Sequence, residues 1–366
     1  MGERMGIRID LTEAMFGETE RRLCAFEGIS VTTFRYASGV AGLRIGTRRG
    51  EVVILPFRGQ QIWRARFDGR EFAMRSMFDE PARSTTYLET YGAFLIHCGL
   101  TGIGAPEAGD SHPLHGELPS APFEDAWLDL DEAAGRVTLG GVFRYAVAFS
   151  TRYTLTATLG IGRDETLIDC HLRLRNDKRT PMEVLYLAHI NFRPSDGATL
   201  HYTAPYTPEA VRVRRSIPAH VRAGPGYAEF LEALAADPTL HHRLEPGLGF
   251  DPEVVFAIDA VADEAGWAHA VQRHADGSAD YVAHRPDQAP RLNRWICRTP
   301  DQDAIGFSFP STSSTLGRRN EVEAGRFVPL DGEREWHLDM RFGRLSADEA
   351  DRRIEAIDRL MGRTTG

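Results

Sequence analysis

Short runs of alternating or β-branched residues, separated by glycine and proline, occupy most of this chain and constrain its fold more than any other feature. Between residues 23 and 78 such runs cover 28–36, 42–46, 51–57 and 61–67, and further runs fill 127–192, 254–309 and 326–342. Asp68-Gly69 follows the fourth run and predicts a hairpin turn, because both residue types tolerate positive φ. So many short strands without a fixed repeat predict an all-β fold built as a large two-sheet sandwich.

Two segments have helical patterns instead of β patterns. Residues 227–236 form a short helical stretch, and a C-terminal helix is predicted over 346–362. Ser346 is placed to be its N-cap and Glu349 to complete a capping box. No linker rich in Pro, Gly or Ser divides the chain. We therefore expect one domain over residues 1–366, with 1–22 as an N-terminal extension.

Composition narrows the class of protein. The 366 residues carry a formal net charge of -9, which argues against nucleic-acid binding because such proteins concentrate Lys and Arg. No apolar run approaches the roughly 20 residues that a membrane helix needs. The first residues lack the apolar core of a secretion signal. Four widely spaced cysteines, Cys24, Cys98, Cys170 and Cys297, are expected to be free thiols. These features predict a cytoplasmic protein that binds neither nucleic acid nor membrane.

A loop-rich segment, 79–125, holds the first group of candidate site residues. His97, His112, His115 and Glu117 lie in it among many Gly and Pro residues. The spacing from 112 to 117 can bring three donor groups near one point on a turn, and loops on a rigid scaffold often carry function. The alternative is that His112 and Glu117 are solvated loop residues and His97 is a core histidine bonded to the backbone.

The second group lies on a predicted strand, 183–192. Alternate side chains of a strand share a face, so His189 and Asn191 lie on the same side as two leucines. A polar pair on an apolar face must find hydrogen-bond partners or line a cavity, and we expect a cavity. Because imidazoles titrate near neutrality, two of them on a β scaffold suit acid–base chemistry on a neutral polar substrate such as a sugar.

Other candidates have weaker signals. Trp63 and Trp295 are able to stack on a sugar ring or to fill the core, and the core is the commoner place for tryptophan. His241 and His242 follow a helix and are expected on the surface.

Several motifs resemble one known family. Val53-Ile-Leu-Pro56, Gly59-Gln-Gln-Ile-Trp63 and Asp68-Gly69-Arg70 look like the opening hairpins of aldose 1-epimerases, also called galactose mutarotases. Leu114-His115-Gly116 is similar to their substrate-binding motif, and Tyr186 to Phe192 resembles the strand that carries their catalytic histidine. A closer likeness is to a branch of that superfamily of unknown function, marked by His97-Cys-Gly, His112-Pro-Leu-His-Gly-Glu and His189-Ile-Asn-Phe. The likeness covers most of residues 50–340.

The resemblance implies a β-supersandwich with an open cleft that binds a pyranose. In that family an acid protonates the ring oxygen while a carboxylate removes the anomeric proton, so that the ring opens and closes to the other anomer. Carried over to this sequence, His189 would be the acid and His115 would hold the region of the ring oxygen. The expected substrate-binding residues are His97, His112, Arg83, Asn191 and Trp295.

One departure from the family pattern is serious. The family's base is a glutamate before a proline, in the branch pattern Glu-Pro-Ala-Thr, whereas this chain has Phe309-Pro310-Ser311-Thr312. A phenyl ring cannot take a proton, and general base catalysis is worth roughly 10²–10⁴-fold. Either another carboxylate acts, from Glu117, Glu124 or Asp280, or the chemistry differs, and Glu117 is the substitute base that we expect. The leading hypothesis is an isomerase of the aldose 1-epimerase type without a cofactor.

Two alternatives remain open. The first is an isomerase or lyase that acts on a keto-sugar with a divalent metal such as Zn²⁺ or Mn²⁺. Its ligands would come from His97, His112, His115, Glu117 and His189. The second is a carbohydrate-binding protein that has lost catalysis together with the base glutamate. Each hypothesis predicts a small-molecule sugar as ligand, for a monomer or a homodimer.

Overall fold

The structure, a computed structural model, describes residues 6–217, 222–246 and 250–363. Antiparallel strands are the dominant secondary structure of the described chain. In chain order these are β1 (Ile7–Leu11), β2 (Arg21–Phe26), β3 (Ile29–Arg35), β4 (Ala41–Gly46), β5 (Gly50–Ile54), β6 (Ile62–Phe67), β7 (Arg70–Glu71), β8 (Leu95–Cys98), β9 (Asp125–Asp131), β10 (Arg136–Val147), β11 (Thr151–Gly162), β12 (Leu167–Asn176), β13 (Met182–Val184), β14 (Leu187–Ile190), β15 (Thr199–Tyr202), β16 (Val211–Val213), β17 (Val254–Ile258), β18 (Ala268–Arg273), β19 (Ala279–His284), β20 (Arg291–Arg298), β21 (Asp303–Ser311), β22 (Val328–Leu330) and β23 (Glu335–Leu345). The helices are α1 (Tyr227–Ala236), α2 (Arg318–Glu323) and α3 (Ala347–Leu360), with 3-10 turns at Glu13–Met15, Tyr87–Glu89 and Pro238–His241.

The strands form two large sheets and one small one. The nine-stranded sheet has the order β1-β9-β10-β11-β12-β23-β19-β18-β15. The twelve-stranded sheet has the order β16-β17-β20-β21-β14-β8-β6-β5-β4-β3-β2, with β7 paired to β6, and β13 pairs with β22 alone. Residues of both large sheets belong to one apolar core, in which Phe94 and Phe342 meet at 5.8 Å between ring centroids. This is the all-β, two-sheet architecture that the strand pattern predicts.

Local sequence signals are confirmed where they predict turns and caps. Asp68 and Gly69 have φ values of 49° and 79° in the hairpin between β6 and β7. The predicted helical stretch, Tyr227–Ala236, is α1. At the start of α3, the Ser346 side chain accepts from the Glu349 backbone N–H, and the Glu349 carboxylate accepts from the Ser346 N–H. This capping box satisfies two N–H groups that would otherwise lack partners.

Two boundary predictions need correction. The segment expected to be an N-terminal extension contains β1, whose Ile7 pairs with Leu130 at the edge of the nine-stranded sheet; its first five residues lie outside the described part. The strand expected over 183–192 is divided into β13 and β14, which belong to different sheets. Alternation of side chains predicts a strand but does not predict which partner each half will take.

Two further expectations concern burial and membranes. All four cysteines are free thiols, and Cys98, Cys170 and Cys297 are buried. Trp63 is fully buried in the core. None of the helices in the described ranges is long and apolar enough to cross a bilayer.

The neighbouring strands β14, β21, β20 and β17 position the candidate site. Asn293 of β20 pairs with Phe309 of β21, and Trp295 of β20 pairs with Val255 of β17. The register between β20 and β21 shifts between Asn293 and Trp295, which marks a β-bulge. A bulge changes the direction of the side chains near it. Alternate side chains of each strand share a face, so residues that are distant in sequence reach one side of the sheet.

Candidate functional site

A cleft of about 1240 Å³ opens over β14, β20 and β21. Its lining includes two imidazoles, from His115 and His189, and the aromatic rings of Tyr91, Trp295 and Phe309. We call these five residues the cleft cluster. An apolar wall with a few convergent polar groups is the usual composition of a small-molecule site.

The two predicted histidines meet in this cleft. The ring centroids of His115 and His189 lie 5.6 Å apart, and the rings are nearly perpendicular at 86°. His189 is carried by β14, whereas His115 lies in a loop and has a left-handed φ of 60°. The Tyr87 ring packs 4.9 Å from His115, and the Tyr91 ring packs 5.6 Å from His189. The structure therefore brings together the two imidazoles that the sequence singled out.

Asn191 fixes the tautomer of His189. The Asn191 side-chain Nδ2 donates to the Ala93 carbonyl at 3.0 Å, which leaves Oδ1 facing the imidazole. His189 Nδ1 lies 2.6 Å from that oxygen, and a carbonyl oxygen only accepts, so Nδ1 carries a hydrogen and donates it. Asn191 is fully buried in this role. Its predicted contact with substrate is corrected to a contact with the His189 ring.

The environment of His189 keeps it neutral. Burial lowers the pKa of His189 well below its ordinary value, and the neighbouring His115 charge lowers it further, while the hydrogen bond to Asn191 acts in the opposite direction. A neutral imidazole with hydrogen on Nδ1 has a lone pair on Nε2. His189 is therefore equipped to accept a proton.

Phe309 supplies part of this apolar environment. Its ring centroid lies 4.2 Å from that of His189, at an interplanar angle of 41°. The ring sits over Gly306, where a Cβ atom would lie 1.8 Å from Phe309 Cζ. A side chain at 306 therefore cannot coexist with this position of the ring. Phe309 thus lies beside His189, where the family resemblance implies a carboxylate, and provides hydrocarbon instead.

A carboxylate that the sequence did not single out also lines the cleft. Glu253 accepts a hydrogen bond from Trp295 Nε1 at 2.7 Å and forms an ion pair with Arg214. The Trp295 ring in turn lies 5.4 Å from the His189 ring. Glu253 precedes β17, and it is the pairing of β17 with β20 that carries it to Trp295. No local motif marks Glu253, so only the strand register reveals it.

Tyr91 is the second residue that sequence reasoning missed. Its hydroxyl donates to Asn191 Oδ1 at 3.3 Å, so it shares the acceptor that orients His189. Burial raises the pKa of Tyr91 well above its ordinary value, so the hydroxyl stays protonated. Tyr91 follows the 3-10 turn Tyr87–Glu89 within the loop-rich segment 79–125, where no strand or helix pattern marks it.

Three predicted substrate contacts lie away from the cleft. His97 is fully buried, and its Nδ1 lies 2.7 Å from the Tyr186 hydroxyl; burial lowers the pKa of His97 to about 4. His112 donates from Nδ1 to the Pro113 carbonyl at 2.8 Å and accepts at Nε2 from the Arg318 N–H at 3.3 Å. Arg83 lies against Gly39 on an exposed turn. These positions correct the predicted substrate-binding roles of all three residues.

Glu117 is also placed differently from the prediction. Its carboxylate accepts from the Leu100 N–H, the Thr101 N–H and hydroxyl, and the Tyr153 hydroxyl at 2.7 Å. A carboxylate with its lone pairs committed to four donors holds a loop in place. Glu117 does not line the cleft, which corrects its predicted role as substitute base.

The alternative metal ligands are not assembled. Within the part of the chain that the structure describes, no group of three or more His, Cys, Asp or Glu side chains is arranged to hold a metal ion. The five side chains have separate partners. His97 bonds Tyr186, Glu117 bonds Tyr153 and His112 bonds the Pro113 carbonyl, whereas His115 and His189 pack against each other in the cleft.

A second group of histidines is buried behind the same sheet. Arg294 Nη1 lies 2.6 Å from His241 Nε2, and the guanidinium carbon lies 4.1 Å from the Tyr202 ring centroid. His242 Nε2 lies 2.8 Å from the Tyr202 hydroxyl, and the His242 ring packs on Tyr206. We call these five residues the core cluster. The expectation that His241 lies on the surface is wrong, because it is fully buried.

Comparisons with known proteins support the fold. Residues 37–343 match the family model described as Domain of unknown function (DUF4432). No curated protein matches the chain by sequence.

Solved structures match over most of the chain. One is a Klebsiella pneumoniae protein provisionally assigned as an aldose 1-epimerase, with a TM-score of 0.79, 16% identity, and coverage of 99% of this chain and 93% of the other. Another is a galactose mutarotase-like protein from Clostridium acetobutylicum, with a TM-score of 0.61, 12% identity, and coverage of 88% and 100%. At these identities the likeness shows the fold, which is the predicted galactose mutarotase-like β-supersandwich.

Proposed function

The chain belongs to the Domain of unknown function (DUF4432) family and has a galactose mutarotase-like fold, and on that premise we propose that it interconverts the anomers of an aldose or an aldose derivative. The observation that carries the proposal is the pair of imidazoles, 5.6 Å apart, in one aromatic cleft. Two groups with different environments that line the same cleft are able to act as proton donor and proton acceptor for one bound substrate. Structural neighbours assigned as aldose 1-epimerases support the same reaction class.

His189 is the proton acceptor in this proposal and His115 is the donor. The resemblance gives His189 the role of acid, but burial lowers its pKa and Asn191 holds its hydrogen on Nδ1. Two like charges so close are unfavourable, and His115 is the less buried of the two rings, so the proposal places the donated proton on His115. Because Phe309 has no proton-accepting group, the neutral Nε2 of His189 takes the place of the missing carboxylate.

Ring opening transfers one proton to His189 and one proton from His115, so the site gains and loses no net proton. The hydrogen on the anomeric oxygen moves to His189 Nε2 as the bond between C1 and the ring oxygen breaks and a C1 carbonyl forms. A proton from His115 moves to the ring oxygen. After rotation about the C1–C2 bond, the reverse transfers close the ring to the other anomer and restore both histidines.

The remaining cleft residues suit sugar hydroxyls and ring faces. Trp295 offers an indole ring, and Glu253 with Arg214 offers an acceptor and donors at its edge. Stacking on an aromatic face together with hydrogen bonds to planar polar groups is a common way to bind a neutral polar ring.

NMR anomer exchange tests the proposal. Magnetisation transfer between α and β signals of a panel of aldoses is expected to speed up in the presence of the protein, and His115→Gln is expected to slow it roughly 100-fold or more. His112→Gln is the matched control, because His112 lies three residues away on the same loop without lining the cleft. Equal rates for the two variants would contradict the assignment of His115. A rate abolished by chelator would establish the metal-dependent alternative.

Sugar binding without turnover is the second candidate function. It is favoured by Phe309, which replaces the family's base and covers the His189 ring. Calorimetric binding of a sugar whose anomers exchange no faster with the protein than without it would establish this function.

A further inference from the structure

A second cavity, of about 430 Å³, adjoins the cleft. The two spaces share part of their lining, including Arg214, Val255 and Asn293. Strand periodicity explains the continuity, because Arg291, Asn293 and Trp295 alternate along β20 and their side chains reach the same side of the sheet. The cavity therefore extends the candidate sugar site along β20, away from the cleft cluster.

Arginines dominate the walls of this cavity. Four guanidinium groups line it, from Arg212, Arg214, Arg291 and Arg326, together with one carboxylate, from Asp259. Asp259 is shared, since it lies 2.7 Å from an Arg212 nitrogen and 3.3 Å from Arg291 Nη1. Glu253 pairs with Arg214 and Glu321 pairs with Arg326, so three carboxylates are present for four guanidinium groups.

Glu321, the partner of Arg326, does not itself line the cavity. Glu321 lies 2.7 Å from Arg326, but it is fully buried and its carboxylate also accepts from the Ser314 and Leu316 N–H groups. It therefore neutralises Arg326 while it holds the loop that forms part of the cavity wall, and the excess at the cavity is one guanidinium charge. The partner of Arg214, Glu253, is likewise bonded by Trp295 on the cleft side.

Arg291 has donors to spare. It is about one-third exposed, and its hydrogen bond with the described residues is the one to Asp259. A guanidinium group has five N–H donors in a planar fork that matches carboxylate, sulfonate and phosphate oxygens. Arg291 lines the cavity, so the donors that it does not use toward the described residues are suited to an anionic ligand there.

We propose that this cavity is the subsite for an anionic substituent, a carboxylate, sulfonate or phosphate, on the sugar whose anomeric carbon lies at the cleft cluster. The inference rests on the proposed function for the position of the sugar. Arg291 and Trp295 are four residues apart on one strand, so their Cα atoms are about 13 Å apart. A pyranose ring, its substituent and an extended arginine side chain together span that separation.

Calorimetry with three probes tests the subsite. D-glucose, D-glucuronate and D-glucose 6-phosphate share a ring and differ in charge, and the ratio of each anionic sugar's affinity to that of D-glucose is the quantity measured. We expect at least one anionic sugar to bind about tenfold more tightly than D-glucose or better, with a preference that weakens as salt is raised. The probe with the larger ratio identifies the carboxylate or the phosphate as the preferred anion.

Two substitutions should move the ratio in opposite directions. Arg291→Gln is expected to lower it about tenfold, and Asp259→Asn to raise it, because it removes the carboxylate that competes for two arginines. Arg173→Gln is the matched control, since Arg173 is paired with Glu335 on the surface of the nine-stranded sheet. Thermal melts of the three variants report whether each is folded.

Anion binding at the subsite and anomer exchange at the cleft cluster can fail independently. Equal affinity for charged and neutral sugars, or a ratio that Arg291→Gln and Arg173→Gln leave equally unchanged, would overturn the subsite even if anomers exchange. An anionic sugar held through Arg291 without anomer exchange would support the subsite and overturn the proposed catalysis. Inorganic phosphate that displaces D-glucose 6-phosphate but not D-glucose would also support the subsite.

Discussion

The cleft cluster and the core cluster use similar residues to different ends. Each contains two imidazoles among aromatic rings. Two consecutive residues of β20 contribute to them, Arg294 to the core cluster and Trp295 to the cleft cluster. In each, burial lowers a histidine pKa well below its ordinary value, at His189 and at His241. The imidazoles of the core cluster bond Arg294 and Tyr202, whereas those of the cleft cluster line an open space. A depressed pKa is therefore common to both clusters, and access to the cleft is what distinguishes His189 from His241.

Replacing one histidine in each cluster is the strongest test of the difference that we assign to the two clusters. His189→Gln removes the proposed proton acceptor, so we expect anomer exchange to fall roughly 10²–10⁴-fold. His241→Gln keeps a polar side chain near Arg294 and leaves the cleft intact, so exchange by the folded protein is expected to stay near the wild-type rate. NMR exchange rates at matched folded fractions decide the result. Loss of exchange in His241→Gln alone would reverse the roles that we assign to the two clusters.

The core cluster should matter for stability instead. His241→Leu leaves Arg294 Nη1 without its acceptor while the guanidinium group is almost completely buried. Leaving a buried donor of a charged group without an acceptor costs about 3 kcal/mol, so the free energy of unfolding measured in urea titrations should fall by that amount. His337→Leu, on the exposed side of β23, is the control and should change it by less than about 0.5 kcal/mol. A cost no larger than the control's would show that Arg294 has other compensation.

Acid is expected to destabilise the fold, because several buried histidines have a lowered pKa. Burial lowers the pKa of His97 and His284 to about 4 and that of His242 to about 3, whereas unfolding returns each pKa to about 6.5. Below pH 6.5 the unfolded chain therefore binds protons that the folded chain excludes, so stability falls as pH falls. At pH 5 the loss is about 2 kcal/mol for a group such as His97.

Urea titrations at pH 7 and pH 5 measure this loss. The carboxylates with lowered pKa, such as Asp68, lose their contribution below about pH 4, so they do not obscure this window. His97→Gln should remove about 2 kcal/mol of the difference between the two pH values. Stability that is equal at the two pH values would contradict neutral burial of these rings.

The smallest expected effect concerns the apolar contact on His189. Phe309→Glu places a carboxylate beside the imidazole, and an opposite charge nearby raises a histidine pKa by about one pH unit or more. Phe309→Leu is the control, because it keeps the surroundings apolar and the pKa depressed. NMR titration of the His189 ring signals separates the two variants. A pKa equally low in both would show that Phe309 does not govern the protonation of His189.

The sequence predicts local features of this fold well, for identifiable reasons. A capping box at Ser346 and the Asp68-Gly69 turn depend on residues only a few positions apart. The all-β class follows from alternation, which is also local. The meeting of His115 and His189 was predictable because a family resemblance supplied the long-range information that periodicity lacks.

What the sequence could not predict depends on register and on loop path. Glu253 reaches the cleft because β17 pairs with β20, and His241 reaches the core because a 3-10 turn follows α1. The spacing from His112 to Glu117 suggested one site, yet the loop turns each side chain to a different partner. Spacing limits how far apart two groups are, but it does not decide which way they point.

The fit of the Phe309 ring over Gly306 also constrains how this protein can change. A Cβ atom at 306 would lie 1.8 Å from the ring, so any side chain at that position must wait until residue 309 has become smaller. The reverse order of substitution meets no such clash. The two positions are therefore epistatic: while the phenylalanine ring holds this place beside His189, a side chain at 306 requires the ring to move, whereas after a smaller residue is introduced at 309 it does not.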